Sequence, residues 1–354
     1  PRPTAAGADG ARPMGVAALL QRHWWRARPS ALARALQPLS WLYRGAARLH
    51  RAWWRRRGAP ALPVPVIVVG NLIVGGAGKT PTVVALVHWL RARGWTPGVV
   101  SRGYARRDDA PRDVDAGASV RDVGDEPLLI SRRSGAAVVV ARDRVAAVRR
   151  LLQAHPEVDV VVADDGLQHP RLRRDLAIVV FDERGAGNGL ALPAGPLREP
   201  LGSTVPPHTL VLYNAAAPTT RWPGATARRT LAGAVELDAW RRGEPATPAA
   251  LAALRGAPIV AAAGIAAPER FFAMLEAQGL TVERVPLPDH HDYATLPWPP
   301  GTPRVVVTEK DAVKLDARRL GATRVWVATL DFAFDAAFDA ALGAAFQQLD
   351  GRRR

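Results

Sequence analysis

The chain has 354 residues, of which 48% are hydrophobic, and this length and composition suggest about two globular domains with full cores. It contains no cysteine, so disulfide bonds are excluded and a reducing cytosol fits the composition. The formal net charge of +16 is concentrated in residues 1–58, and the nearly balanced charge of the remaining chain argues against a body that binds nucleic acid.

The N-terminal segment is basic and rich in tryptophan. Residues 1–13 and 351–354 are predicted to be disordered from their composition, whereas residues 14–58 hold five of the eleven tryptophans. From Leu39 onward, apolar and basic residues fall on opposite sides at helical spacing: Leu39, Leu42, Tyr43, Ala46, Leu49 and Trp53 against Arg44, Arg48, Arg51 and Arg55. This pattern predicts a basic amphipathic helix that contacts an anionic membrane surface. A helix packed on the protein's own core and a nucleic-acid-binding arm are the alternatives, and no uncharged run approaches the ~18 residues that span a bilayer.

A glycine-rich segment follows the first predicted strand, residues 66–69. It consists of Gly75, Gly76, Ala77, Gly78, Lys79 and Thr80. Such a loop cradles phosphates with its backbone, so Lys79 is predicted to reach the β and γ phosphates of a nucleotide and Thr80 to hold Mg²⁺. Only three of the 48 basic residues are lysines, and a compact ammonium suits this position better than a guanidinium. Ile73 stands where the usual pattern has glycine, and a turn that merely caps a helix is the alternative.

Short valine-rich runs alternate with helical stretches from residue 59 onward. These runs indicate strands buried on both faces of a mostly parallel sheet, in a first domain spanning residues 59–214. Its predicted strands are 66–69, 98–101, 136–141, 158–163, 176–181 and 210–213, and its clearest helices are 80–93 and 143–155. Residues 215–240 form a predicted linker with strand character at 225–237. A second α/β domain spans 241–350, with strands at 258–262, 281–285, 304–308 and 323–328 and helices at 268–278 and from residue 311.

Two pairs of adjacent carboxylates stand in predicted loops. Asp164 and Asp165 follow strand 158–163, and open α/β sheets bind ligands at the carboxyl ends of their strands. These two residues are therefore candidate metal ligands of a phosphoryl-transfer site, with a solvated, helix-capping turn as the alternative. Asp125 and Glu126 form the second pair. A kinase needs a carboxylate near the acceptor hydroxyl, so this pair is a candidate general base, and an exposed turn is the alternative.

A histidine-containing loop lies in the second half of the chain. Residues 287–292 include His290 and His291 between two aspartates. The cluster could bind a metal, orient a catalytic base or form a polar loop, and zinc is the weakest option because the chain has no cysteine. A dyad of histidine and carboxylate would require this loop to fold back on the first domain.

Taken together, these motifs resemble those of the tetraacyldisaccharide 4'-kinase family, the lipid A 4'-kinases of Gram-negative bacteria. The matching segments are 69–72, 75–81, 101–104, 123–127, 164–169, 192–200, 288–291 and 308–314. The resemblance implies two α/β/α (Rossmann-like) domains joined by a short β linker, the first with a mostly parallel sheet of the P-loop NTPase type. It also implies an active site in the cleft, and the N-terminal helix resembles the membrane-contacting element of that family.

The activity that the resemblance implies is ATP- and Mg²⁺-dependent transfer of the γ-phosphate to the 4'-hydroxyl of a tetraacyldisaccharide 1-phosphate. The enzyme would be a peripheral protein at the cytoplasmic face of the bacterial inner membrane, without a nucleic-acid partner. The sequence does not determine the oligomeric state, and a monomer is favoured. A membrane-recruited P-loop NTPase switch without lipid kinase activity is the alternative function, although such a switch has no use for a second carboxylate set.

The resemblance also implies roles for individual residues. Asp125 would be the general base, His290 its orienting partner and Glu126 a further catalytic carboxylate. ATP would be held by Gly75, Gly76, Ala77, Gly78, Lys79, Thr80 and Arg198, and the metal by Thr80, Asp164 and Asp165. Ile73 replaces the small hydroxyl residue expected at the loop entry, so a side-chain contact to the phosphates is not expected from this position.

Overall fold

Residues 16–349, apart from 105, 107 and 116, are described in the computed structural model of the chain. The disorder predicted for residues 1–13 and 351–354 lies outside the described residues. Within the described ranges, none of the helices combines the length and the apolarity that crossing a bilayer requires.

Strands and helices alternate along the first part of the chain. Its helices are α1 (Val16–Trp24), α2 (Ala31–Ala35), α3 (Gln37–Arg56), α4 (Lys79–Arg91), α5 (Val120–Val123), α6 (Asp125–Ser134) and α7 (Arg144–Ala154). Its strands are β1 (Val66–Gly70), β2 (Pro97–Ser101), β3 (Arg112–Asp113), β4 (Val138–Val140), β5 (Val160–Asp164), β6 (Leu176–Asp182) and β7 (Thr209–Asn214).

The second part continues the same alternation. Its strands are β8 (Ala225–Glu236), β9 (Ile259–Ala263), β10 (Val282–Pro286), β11 (Arg304–Thr308) and β12 (Arg324–Phe334). Its helices are α8 (Leu237–Arg241), α9 (Pro248–Ala252), α10 (Pro268–Ala277), α11 (Glu309–Ala312) and α12 (Ala336–Gln347), with a short 3₁₀ helix at Ala317–Arg319.

The described strands hydrogen-bond in the order β10-β9-β11-β12-β8-β7-β6-β1-β5-β2-β4-β3. Neighbours run parallel except in two pairs, β3 with β4 and β8 with β12. The predicted α/β fold with a mostly parallel sheet is therefore confirmed. The long strands β8 and β12 connect the two parts, because β8 pairs with β7 at one end and with β12 along its length.

The position of β1 determines where the site lies. This strand sits between β5 and β6, and all its residues are buried because helices cover both faces of the sheet. The register pairs Val69 of β1 with Asp164 of β5. The glycine-rich loop after β1 and the acidic end of β5 therefore meet at one edge of the sheet, where such sheets bind ligands.

The last described helix, α12, packs on the first part of the chain and was not among the predicted elements. Its residues Phe338, Leu342 and Phe346 are buried in the same core cluster as Trp89 and Leu90 of α4. The division into domains at residues 215–240 and 241–350 stays a prediction, and α12 adds a contact that joins the end of the chain to the first core.

Replacing Phe338 tests this packing. Phe338→Ala should lower the free energy of unfolding by about 3–5 kcal/mol, because the change leaves a cavity under α12. Urea unfolding followed by circular dichroism measures the effect. Gln347→Ala, at an exposed position of the same helix, is the control and should change stability by less than about 0.5 kcal/mol. Equal stability of the two variants would contradict the packing of α12.

Candidate active site

The glycine-rich loop forms one wall of a cavity of about 290 Å³. Gly75 and Gly78 have φ angles of 92° and 88°, which side-chain-bearing residues rarely adopt. A Cβ at Gly78 would also collide with the side-chain amide of Asn214. Helix α4 begins directly afterwards at Lys79, and Lys79 and Thr80 of its first turn line the cavity. The N–H groups at the start of a helix have no partner within the helix and suit an anion.

Lys79 is buried beside the loop, with 7% of its surface exposed. Its Nζ donates to Asn71 Oδ1 at 3.4 Å and lies 3.7 Å from Asp165 Oδ1. The Asn71 amide in turn donates to Gly75 O at 2.9 Å, which ties the loop to the end of β1. Ile73 is fully buried and bridges to Leu197. Both side chains belong to the same buried cluster, so backbone pairing and apolar packing anchor the loop entry, and Ile73 is not among the residues that line the cavity.

Asp164 and Asp165 are adjacent but differ in their surroundings. Asp164 is 1% exposed; its Oδ2 accepts from Ser101 Oγ at 2.9 Å, and its buried Oδ1 has no hydrogen-bond partner. Burial, followed by repulsion from Glu126, raises the pKa of Asp164 to about 7. Burial also acts to raise the pKa of Asp165, but the charges of Lys79 and Arg198 outweigh it and hold that pKa below 3.8. Of the two carboxylates, Asp165 forms ion pairs with Lys79 and Arg198 in the described part of the chain, whereas the charge of Lys79 only partly offsets the effect of burial on the pKa of Asp164.

Arg198, one of the predicted nucleotide-binding residues, contacts the segment that follows β5. Its Nη1 is 3.0 Å from Asp165 Oδ1 and 3.2 Å from Gln168 Oε1, and its backbone N donates to Leu72 O at 2.7 Å. Arg144 is a neighbour that sequence reasoning missed. It is buried at the start of α7 and donates to the Asp165 carbonyl at 3.3 Å. No local sequence pattern predicted a role for Arg144. A basic residue at the N-terminus of a helix opposes the helix dipole, so sequence patterns give no reason to expect one there.

Asp125 begins helix α6, so the sequence prediction of a loop at this point is wrong. Gly124 precedes it with a φ of 90°, and Asp125 itself is 4% exposed. Its Oδ2 lies 2.9 Å from Nδ1 of His290, and its Oδ1 accepts from the backbone N of Glu126 at 2.9 Å. Burial acts to raise the pKa of Asp125, but the hydrogen bond from His290 and the charge of Lys310 outweigh it and lower that pKa.

His290 reaches Asp125 from the second part of the chain. Its backbone N donates to Gly264 O at 3.3 Å, and the Gly264 N donates to the buried carboxylate of Asp311 at 3.1 Å. The hydrogen bond with Asp125 raises the pKa of His290, with burial and the charge of Lys310 acting in the opposite direction. His291 instead packs against Tyr293, so His290 is the histidine that faces the carboxylate pair.

Lys310 joins the two parts at the same place and was not predicted as a site residue. Its Nζ lies 3.1 Å from Glu126 Oε1, 3.1 Å from Asp289 Oδ1 and 3.5 Å from His290 Nε2. Burial acts to lower the pKa of Lys310, but the surrounding carboxylates outweigh it and raise that pKa. Two signals were available: Lys310 is one of three lysines, and it lies in segment 308–314, one of the segments that resemble the family. Glu126, Asp289 and Lys310 line the same cavity as the glycine-rich loop.

The residues at the loop fit a divalent cation. Within the described residues no group of three or more His, Cys, Asp or Glu side chains could hold a metal by itself. Mg²⁺, however, is usually bound through one or two carboxylates together with water and substrate phosphates. Asp164 offers a buried oxygen without a hydrogen-bond partner, and Thr80 lines the cavity. Asp165 is already paired with cations and is the less suitable ligand.

Comparisons with known proteins agree on one family. The family model described as LpxK: Tetraacyldisaccharide-1-P 4'-kinase matches residues 32–347. The Tetraacyldisaccharide 4'-kinase of Methylibium petroleiphilum is 54% identical over 343 residues, covering 95% of each chain. That of Leptothrix cholodnii is 54% identical over 323 residues, covering 90% of this chain and 92% of its own. A crystal structure of LpxK from Aquifex aeolicus in complex with ATP superposes with a TM-score of 0.71 at 26% identity, covering 90% of this chain and 99% of that one.

The contact between Asp125 and His290 predicts a pH-dependent stability. Because the pKa of His290 is raised above 6.5, its contribution is fully present below that pH and is lost as pH rises through the raised pKa. The pKa of Asp125 is lowered, so its contribution is lost only in acid, as pH falls below 3.8. His290→Gln should therefore lower the thermal midpoint more at about pH 6 than at about pH 9.

Thermal melts of the wild type and His290→Gln at both pH values make this measurement. His155→Gln is the matched control, because His155 pairs with Glu157 at the surface rather than with a buried carboxylate. An identical difference in midpoint at the two pH values would contradict the paired arrangement of Asp125 and His290.

Proposed function

Because the chain belongs to the tetraacyldisaccharide-1-phosphate 4'-kinase family, we propose that it transfers the γ-phosphate of ATP to the 4'-hydroxyl of a tetraacyldisaccharide 1-phosphate, a lipid A precursor. The observation that carries this function is the 54% identity to a relative of that name over 95% of both chains. The similarity to an ATP-bound LpxK structure supports ATP as the donor. This relationship favours the kinase over the alternative of a membrane-recruited NTPase switch.

The loop side of the cavity is proposed to hold ATP. Phosphoryl transfer depends mainly on positioning and on stabilising charge on the phosphate oxygens. The first turn of α4 and Lys79 would contact the phosphates, and Arg198 would reach them when it releases Asp165. Thr80 and Asp164 would hold Mg²⁺, which when bound offsets negative charge on the β and γ phosphates.

The opposite side of the cavity is proposed to hold the acceptor sugar. Asp125 would accept the proton of the 4'-hydroxyl, while the Nδ1 hydrogen of His290 keeps the carboxylate oriented from 2.9 Å. A carboxylate of low pKa is a weak base, but the transition state is loose, with little bonding to the attacking oxygen, so a weak base suffices. Lys310 would hold the carboxylates of Glu126 and Asp289 in place around the sugar.

We also propose that α3 docks on an anionic bilayer surface, as a peripheral contact at the cytoplasmic face of the inner membrane. One face of α3 binds the protein: Ser40 Oγ donates to Ala191 O at 2.9 Å, and Tyr43 OH donates to Arg198 O at 2.9 Å. Tyr43 therefore does not belong to the free apolar side on which it was predicted. The opposite face is exposed and apolar, and its members are Leu39, Leu42, Leu49 and Trp53, with Trp41 beside them.

The arginines flanking this apolar stripe favour a lipid surface over a protein partner. An exposed apolar stripe bordered by arginines is typical of helices that lie in a membrane interface. Residues 1–58 carry twelve arginines and one acidic residue. The resulting positive charge attracts this segment to anionic headgroups. The acyl chains of the substrate would then stay in the bilayer while the sugar enters the cavity. A monomeric state remains our expectation.

The dyad is tested by single and double substitutions. Asp125→Ala and His290→Ala should each lower turnover on the order of 10²-fold, and the double variant should lose little more than the worse single variant, because the two groups act as a unit. Transfer of phosphate from ATP to precursor in detergent micelles measures this. Lys79→Ala should abolish transfer without unfolding the chain.

His291→Ala is the matched control for these variants, since it removes the adjacent imidazole that does not touch Asp125. It should keep turnover close to that of the wild type. If the losses from Asp125→Ala and His290→Ala multiply in the double variant, the two residues act independently and the dyad is wrong.

The membrane contact is tested by substitution rather than deletion, because deleting residues 1–58 would also remove the Ser40 and Tyr43 contacts. Leu42→Gln combined with Leu49→Gln should weaken sedimentation with phosphatidylglycerol vesicles while leaving ATP binding and the thermal midpoint unchanged. Wild-type binding should weaken with added salt, since surface charges are screened within a Debye length of about 10 Å. Ala344→Gln, at an exposed position of α12, is the control. Unchanged vesicle binding of the double variant would rule out this surface.

A further inference from the structure

Helix α6 belongs to both parts of the chain. Its Leu128 and Ile130 are buried in the core of the first part, whereas Leu129 is buried in a cluster with Trp240 and Val307 of the second. Its first turn carries Asp125 and Glu126 of the site. The position of α6 relative to the second part therefore decides whether these carboxylates meet their partners.

Two ion pairs connect α6 to α11, and α6 supplies the acidic residue of one pair and the basic residue of the other. Glu126 of α6 pairs with Lys310 of α11 at 3.1 Å. Seven residues further along α6, on the same face, Arg133 Nη1 lies 2.8 Å from each carboxylate oxygen of Glu309. Because Glu309 and Lys310 are adjacent, an arrangement that exchanged their partners on α6 would oppose like charges.

The second of these pairs is better fixed than an ordinary surface pair. Glu309 is 8% exposed and also accepts from Trp240 Nε1 at 3.4 Å. Arg133 Nη2 donates to Leu330 O at 3.2 Å, at the position where the register of β12 shifts. The guanidinium of Arg133 thus holds α11 and β12 together against α6. Loss of one partner leaves a largely buried charge unpaired, which is costly.

Helix α11 also holds the histidine loop. Asp311, two residues after Glu309, accepts from the Gly264 N at 3.1 Å, and the Gly264 O accepts from the His290 N at 3.3 Å. A displacement of α11 therefore moves both Lys310 and His290 relative to Asp125.

We propose that Arg133 and Glu309 are positioning residues for phosphoryl transfer, whose ion pair sets α11 against α6 and thereby holds His290 and Lys310 at Asp125 and Glu126. The inference rests on the proposed function, in which Asp125 and His290 act together. Both residues line the cavity, but the pair need not touch the substrate, because its effect passes through the placement of His290 and Lys310.

The test uses Arg133→Met and Glu309→Gln in the full chain, assayed with ATP and precursor in micelles. Glu309→Gln keeps the shape and an acceptor for Trp240 while removing the charge, so it serves if Arg133→Met does not fold. Each variant should lower kcat about 10-fold or more and leave KM for ATP unchanged, because small misplacements of reacting groups are costly. In the His290→Ala background each substitution should cause a much smaller loss, because the part of its effect that passes through His290 is already gone.

The controls are Arg324→Met and Glu236→Gln, which break an exposed pair of 3.1 Å between β12 and β8 and should keep wild-type kcat.

Wild-type kcat in both Arg133→Met and Glu309→Gln would overturn the inference, as would losses that multiply with His290→Ala. A raised KM for ATP at unchanged kcat would also overturn it, since Arg133 would then be a nucleotide ligand. If His290→Ala keeps wild-type kcat, the proposed dyad fails and the inference fails with it. If His290→Ala lowers kcat but Arg133→Met and Glu309→Gln do not, the dyad stands and only the inference fails.

Discussion

The hydrogen bond between Asp125 and His290 is the contact on which the site depends. A carboxylate as deeply buried as that of Asp125 is costly unless a polar or charged partner satisfies it. His290 supplies this partner from 165 positions along the chain, at 2.9 Å. Both groups are satisfied only when the two parts of the chain pack in this one arrangement. The acceptor side of the cavity is therefore built by the same packing that stabilises the interface.

The three lysines of the chain show how charge is balanced around this arrangement. Lys79 lies 3.7 Å from Asp165, Lys310 lies 3.1 Å from Glu126, and Lys314 lies 2.9 Å from Asp311. Lys79 is buried, and the side chains of Lys310 and Lys314 are 15% and 3% exposed, so each ammonium is largely enclosed beside its carboxylate. Asp164, at the end of β5, keeps a buried oxygen without a hydrogen-bond partner, which is why a metal is proposed at that position.

The strands and the phosphate loop could be predicted because their signals are local. Runs of valine buried on both faces and a glycine-rich turn before a helix are recognisable without tertiary context. The start of α6 could also have been recognised, since Asp125, Glu126 and Pro127 are typical of a helix N-terminus. Helix α12 could have been recognised too, because Phe338, Leu342 and Phe346 stand at helical spacing. The contacts of Lys310 could not be predicted, because they join residues as far as 184 positions apart.

The most direct measurement on the contact between the two parts is the titration of His290 by nuclear magnetic resonance, with its signal assigned through His290→Gln. In the wild type its pKa should lie above the ordinary value of 6.5, because Asp125 accepts its Nδ1 hydrogen. In Asp125→Asn the negative charge is lost and the pKa of His290 should fall. A pKa of His290 that is the same in both proteins would contradict the account, since the imidazole and the carboxylate would then not be paired.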